Sequence, residues 1–402
     1  MAGDGARDSE VPGGPMEPSG EGRGPGPNGP IPPRWTSRAT VAFRVLLVAL
    51  LIGQLYVTGF VQRPDLLHPT TIGTDASNYY AAGLRLNAGH NLYGPLLPGD
   101  QAVPGYPKTY PAPLLSPPFM AVIWRPLAVL PDSMAIWLWW LLGLLLVVGL
   151  TAAFAVVGRP RHLAVLAVVL AMGLPLTLVT GAIYRYPGFN SPVSIAGLSG
   201  NVNTYLAGLL VLAWWAASRG HHRIAGTAAA LAAVLKLGPA TLLWWFVTQR
   251  AWRSTRSFML AAVGFGLLGL VLAGLSANLD FVHVALGGGI APTSLSVPGM
   301  LKHFLRLRAS VAQYGAIVAT VVGLALVFAL RSRPRASFAV AILASIYSSP
   351  VVYAGNFALL IAVAAPWLIQ SHSTPPSIDP ATTEPAAAAL SAAPDGGSSG
   401  GA

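Results

Sequence analysis

Apolar runs near 41–60, 112–131, 134–157, 163–183, 202–218, 224–248, 257–275, 311–330, 337–353 and 356–370 constrain this chain more than any other feature. Each approaches or exceeds the roughly twenty residues that an α-helix needs to cross ~30 Å of hydrocarbon. Between Arg34 and Ser371 only five carboxylates interrupt them: Asp65, Asp75, Asp100, Asp132 and Asp280. The same stretch carries 22 Lys and Arg, an excess of 17 positive charges. Charged residues make up 9% of the whole chain, against about 25% in soluble globular proteins. A soluble fold could not keep such a surface dispersed, so the expected class is an all-α polytopic membrane protein.

The basic residues punctuate apolar runs and form no stripe, which argues against nucleic acid as a partner and for orientation of membrane loops. Arg34, Arg38 and Arg44 precede the first run, which reads as an uncleaved transmembrane helix with its N-terminus in the cytoplasm. The short connections around Arg159, Arg219 to Arg223, Arg250 to Arg256 and Arg331 to Arg335 should share that side. Counting one pass per run puts the first two on the opposite side. The conflict disappears if 112–131, broken by Pro117-Pro118 and Pro126, and 224–248, broken at Gly238-Pro239, enter and leave on one face. The expected organisation is a disordered cytoplasmic tail over 1–38, an integral membrane domain over 39–371 with about 10–12 membrane segments, and a disordered tail over 372–402. Extracytoplasmic loops are expected at 61–111, 184–201 and 276–310. With no cysteine in the chain, disulfides, thiolate metal sites and Cys nucleophiles are excluded. No metal site and no nucleotide-binding pattern is legible, and no cofactor is expected.

Several residues carry possible chemistry. Asp75 opens a stretch in which Tyr80, Leu84 and Ala88 recur at i, i+4, i+8, flanked by Tyr79, Gly83 and Leu86. That spacing predicts an amphipathic helix at the membrane surface, on which Asp75 is either an N-cap or a functional carboxylate. Lys236 lies inside an apolar run, where a lysine lines a cavity or snorkels to an interface. Lys302, His303 and Arg306 form a basic cluster that either anchors headgroups or binds an anion, and His303 is a candidate for handling a proton. Asn201 and Asn203 flank a helix start and either cap it or hydrogen-bond hydroxyls of a ligand.

Taken in order, these stretches resemble glycosyltransferase family 87. Asp75 with Tyr79-Tyr80-Ala81-Ala82 and Gly89-His90-Asn91-Leu92-Tyr93-Gly94 resembles its first extracytoplasmic loop. Ser116-Pro117-Pro118 with Arg125-Pro126-Leu127 resembles the next segment. Gly200-Asn201-Val202-Asn203 is similar to a Gly-Gln-x-Asn motif, and Leu235-Lys236-Leu237-Gly238-Pro239 to a Lys-x-x-Pro motif. Ser294 to Leu307 and Ser349-Pro350-Val351-Val352-Tyr353 are similar to two late motifs. Two departures stand out: Asn201 where the family has Gln, and Gly355-Asn356 where it often has His.

The resemblance implies a C-type glycosyltransferase-like helical bundle in the plasma membrane, with its active site on the extracytoplasmic face. It implies transfer of mannose from polyprenyl-phosphate-mannose to a lipid-linked glycan of the phosphatidylinositol mannoside or lipomannan type. The mechanism would be inverting, with Asp75 as general base. Tyr79, Tyr80, Asn201, Asn203, Lys236, Lys302 and Arg306 would contact substrate, and His303 would assist catalysis. The partners implied are the polyprenyl-phosphate sugar donor, the lipid-linked acceptor and membrane lipids, with the oligomeric state open. An arabinofuranosyltransferase of the same architecture, or a glycolipid flippase, are the alternatives.

Overall fold

The computed structural model describes residues 36–62, 75–94, 114–157, 160–171, 192–287, 295–349 and 352–369. Residues 1–35 of the first expected tail, all of the second, the second half of the 163–183 run and most of the 61–111 loop lie outside them, whereas 36–38 already belong to the first helix. The chain divides into two units, Met1–Ala42 and Phe43–Ala402. In the first, the described part is the start of a helix; the second holds every other element.

The described residues are helical and contain no strand. In chain order they form α1 (Thr36–Tyr56, running on into a π-helical turn), α2 (Asp75–Asn87), α3 (Pro118–Leu127), α4 (Asp132–Val157), α5 (Pro160–Ala171) and α6 (Pro192–Leu198). There follow α7 (Asn203–Ser218), α8 (His222–Leu235), α9 (Thr241–Thr248), α10 (Trp252–Gly287), α11 (Val297–Phe304), α12 (Tyr314–Ala329), α13 (Pro334–Tyr347) and α14 (Leu360–Leu368). Short 3₁₀ turns, Gly238–Ala240 and Ala354–Leu359, precede α9 and α14. Among the described residues four helices are long and apolar enough to cross a bilayer: Arg38–Phe60, Asp132–Val157, Trp252–Ala285 and Ser310–Ala329. The protein is an all-α polytopic membrane protein.

The prolines and glycines shape the remaining apolar runs. The 224–248 run breaks at Lys236, whose φ of −156° and ψ of 124° end α8 in extended backbone. Gly238 then passes so close to the Ser345 carbonyl oxygen that a Cβ at that position would collide with it. The chain turns back as α9, where Thr241 Oγ1 donates to the Ala341 carbonyl at 2.8 Å and Trp244 Nε1 to that of Leu324 at 3.0 Å. At the far end Gln249 Nε2 donates to the Arg331 carbonyl at 3.1 Å. The pair α8–α9 therefore starts and finishes at one end of the bundle. His222 Nδ1 lies 3.1 Å from Ser254 Oγ, so α10 sets out from that end beside α8.

Contact between α8 and α10 is the most extensive helix pairing in the chain. Its cause is a run of small residues, Ala225, Gly226, Ala229, Ala230 and Ala233, all on the buried side of α8. Helices in lipid gain no hydrophobic drive from meeting, so close approach of backbones and the dispersion it brings must hold them. A Cβ at Gly226 would meet the backbone of Ser254 and, at 2.7 Å, the amide nitrogen of Phe258.

One expectation needs correction. The 276–310 interval is not a simple loop, because α10 carries on through Gly274 (φ 86°, ψ 159°) to Gly287, and α11 forms beyond it. Ala277, Phe281 and Val284 recur at helical spacing and pack on the core, which sustains the helix past the kink. On α2 the stripe Tyr80–Leu84–Ala88 turns away from the bundle, the side that an amphipathic helix at a membrane surface gives to lipid. Leu84 and Ala88 are exposed, and Ala76, Tyr79, Ala82 and Gly83 face inward. Gly83 decides this, since its missing side chain lets α2 ride on the Trp124 carbonyl of α3, where a Cβ would sit at 2.9 Å. An apolar stripe can point outward here because the surroundings are lipid.

Replacing Gly226 with Leu should separate α8 from α10 and destabilise the protein by about 1–3 kcal/mol. A lowered melting temperature in detergent measures it; an unchanged one would mean that this approach does not hold the pair.

Candidate active site

The end of the bundle remote from Arg331 gathers side chains from five elements. Gly200, between α6 and α7, takes φ +65° and lies against α2, where a Cβ would come within 2.8 Å of Ala76 Cβ. Trp139 Nε1 fixes the turn by donating to the Gly200 carbonyl at 2.8 Å, and Trp140 Nε1 donates to that of Leu198 at 2.7 Å. Held so, the turn presents two side-chain donors to the start of α2. Ser199 Oγ donates to Asp75 Oδ2 at 3.1 Å and Asn201 Nδ2 donates to the same oxygen at 2.8 Å.

The network continues through amides. Asn201 Oδ1 accepts the Asn203 backbone N–H at 2.8 Å. Asn203 Nδ2 donates to Asn356 Oδ1 at 2.9 Å. Lys236, freed from helical backbone at the end of α8, sends its ammonium to Asn203 Oδ1 at 3.1 Å and Asn356 Oδ1 at 3.2 Å. Asn203 and Asn356 are buried; Asp75 and Lys236 are partly so. Gly355 lies in van der Waals range of this group, a Cβ there standing 3.4 Å from Asn201 Nδ2. The result is a carboxylate and an ammonium joined through asparagines and not paired directly. Desolvation pushes the Asp75 carboxyl above its ordinary range, against the opposing pull of the Asn201 and Ser199 hydrogen bonds and the Lys236 charge.

The glycosyltransferase family 87 model matches residues 115–352, more than half of the chain. The chain belongs to glycosyltransferase family 87. No curated protein and no solved structure matches it. It is thus a membrane glycosyltransferase, and such an enzyme works on lipid-linked substrates among membrane lipids. The family match contains Asn201, Asn203 and Lys236, begins after Asp75 and ends before Asn356. The hydrogen bonds therefore attach two outlying residues to the part of the chain by which the family is defined.

Of the residues singled out by sequence, Asp75, Asn201, Asn203 and Lys236 meet in this network. Tyr79 supports it, being buried on α2 with its hydroxyl 3.5 Å from the Val202 backbone N–H, which donates to it. Tyr80 turns away to donate to the Leu130 carbonyl at 3.1 Å and sets its ring edge against Trp124. Lys302, His303 and Arg306 are exposed on and after α11, with the His303 ring against Phe304, and no hydrogen bond among the described residues ties them to Asp75. Sequence reasoning passed over Ser199, a common residue beside a glycine motif. Asn356 was visible only as a departure from the family pattern. Among the described residues no cluster of His, Cys, Asp and Glu suits a metal ion.

Gly200→Val would force a β-branched side chain into left-handed backbone and onto Ala76. We expect a loss of about 1–3 kcal/mol of stability, read as a lower melting temperature. Should the variant melt like the wild type, Gly200 does not place this turn.

Proposed function

We propose that this glycosyltransferase moves a mannosyl residue from polyprenyl-phosphate-mannose to a hydroxyl of a lipid-linked glycan, with inversion, on the extracytoplasmic face of the plasma membrane. The observation that carries the reading is the pairing of unlike charges at a fixed remove. The partners of the Lys236 ammonium are neutral amide oxygens, and among the described residues no carboxylate pairs with it directly. A partly buried cation so held favours an anion, and the phosphate of the donor supplies one. Asp75, tied to the same network, has both of its donors on Oδ2, which leaves Oδ1 to take a proton.

The steps follow from these positions. An acceptor hydroxyl attacks the anomeric carbon, its proton passes to Asp75, and the bond from that carbon to the phosphate oxygen breaks. The electron pair leaves with polyprenyl phosphate, whose gathering charge Lys236 stabilises. Asn201 and Asn203 hold the base and the cation in register and are placed to hydrogen-bond sugar hydroxyls. A desolvated carboxyl with a raised pKa is a better proton acceptor near neutrality than an ordinary aspartate.

Purified full-length protein given labelled polyprenyl-phosphomannose and a lipid-linked acceptor should release polyprenyl phosphate. Translocation of the glycolipid without release would overturn the proposal. Asp75→Asn keeps an oxygen for Ser199 and Asn201 and should fold, yet lose about 10²–10⁴-fold in transfer rate; near wild-type turnover would remove Asp75 from its role. Because the base must be ionised, activity should fall as pH drops through a pKa above the ordinary carboxylate value of about 4. A rate profile flat across that limb contradicts Asp75 as base.

A further inference from the structure

The opposite end of the bundle carries charge that catalysis does not use. Three basic connections, far apart in sequence, meet there. Arg219 and Arg223 bracket the turn from α7 to α8, Arg250, Arg253 and Arg256 surround the start of α10, and Arg331, Arg333 and Arg335 join α12 to α13. The Gln249 to Arg331 hydrogen bond and the His222 to Ser254 contact bring the three together. All eight arginines are exposed. The described carboxylates lie at the other end: Asp75 in the candidate site, Asp280 bonded to Asn91, and Asp132 at the start of α4, whose Trp139 holds Gly200. Arg219 stacks on Trp215 at 5.5 Å and Arg331 on Phe328 at 4.3 Å, which stiffens both side chains without neutralising them.

Membrane insertion requires basic residues on the cytoplasmic connections but not that the connections converge. Among the described residues, convergence makes a concentrated face free of carboxylates, its fixed charge carried by guanidinium, the side chain whose planar fork suits phosphate oxygens. Its level identifies the occupant. The face begins where the apolar, outward-facing sides of α10 (Leu260, Val263, Leu267, Val271) and α12 (Ile317, Val318, Val321, Val322) end. Trp252, 62% exposed, stands at that border among the arginines, as indoles do at the junction of hydrocarbon and headgroups. We propose that this arginine face is a binding surface for the phosphate headgroups of anionic phospholipids, separate from the candidate site at the other end of α8.

The full chain in a detergent with a neutral headgroup would be titrated with phosphatidylglycerol, with phosphatidylcholine of the same acyl chains, and with glycerol phosphate. Native mass spectrometry then counts bound molecules. The wild type should retain phosphatidylglycerol over phosphatidylcholine, and glycerol phosphate should not displace it at equal concentration. The triple substitution Arg253→Gln, Arg256→Gln, Arg333→Gln should weaken phosphatidylglycerol retention roughly 100-fold and leave the melting temperature in lipid-free detergent unchanged. Equal retention of the two lipids, or a preference untouched by the substitutions, overturns the proposal. Glycerol phosphate binding as tightly as the lipid would assign the face to a soluble phosphate instead. Should the triple variant fail to fold, raising the wild type to about 0.5 M NaCl must erode the preference through screening, and its persistence would equally overturn the proposal.

Discussion

An ammonium among packed apolar helices has to find oxygen, and Lys236 finds it on Asn203 and Asn356. Much of this end of the bundle follows from that requirement. Lys236 can turn inward only because α8 stops before it, and α8 stops because Gly238 and Pro239 cannot continue it against Ser345. Asn203 is available because α7 begins there, and Asn356 because the chain enters α14 through a 3₁₀ turn. Four chain segments thus end or begin around one cation. Non-helical backbone at membrane depth is tolerated where protein surrounds it, and these breaks satisfy that condition with amide side chains.

A second constraint acts through glycine. Gly83, Gly200, Gly226 and Gly238 stand where backbone meets backbone or Cβ, and each would lodge a Cβ in a neighbouring atom. The first two press α2 between α3 and the turn before α7, which brings Asp75 to Ser199 and Asn201. The other two set α8 against α10 and the α8–α9 turn against α13. Electrostatics at the site therefore depends on steric fit at positions that carry no side chain.

Much of this was legible as parts and little as an assembly. The low count of carboxylates and the placement of prolines announced a membrane protein with broken helices. Asp75, Asn201, Asn203 and Lys236 could each be singled out because a polar residue near an apolar run is conspicuous. Their convergence was not legible, since it spans the length from Asp75 to Asn356 and depends on a left-handed glycine and two tryptophan hydrogen bonds. On α2 Leu84 faces outward; lipid and protein interior reward the same side chains, so periodicity alone does not say which of the two a stripe meets. The cluster Lys302, His303 and Arg306 showed a helical spacing, but spacing does not reveal which way a helix is presented to its neighbours.

The kink at Gly274 gives a measure of depth. From Trp252 to the residue before Gly274, α10 rises about 33 Å at 1.5 Å per residue, close to the ~30 Å thickness of a hydrocarbon layer. From the same starting level α8 climbs only about 21 Å before it ends at Leu235. Lys236 thus lies roughly 10 Å beneath the plane that Gly274 marks. On the proposed reading, a ligand that meets its ammonium reaches below that plane, which suits one already tethered to a lipid better than one arriving from water.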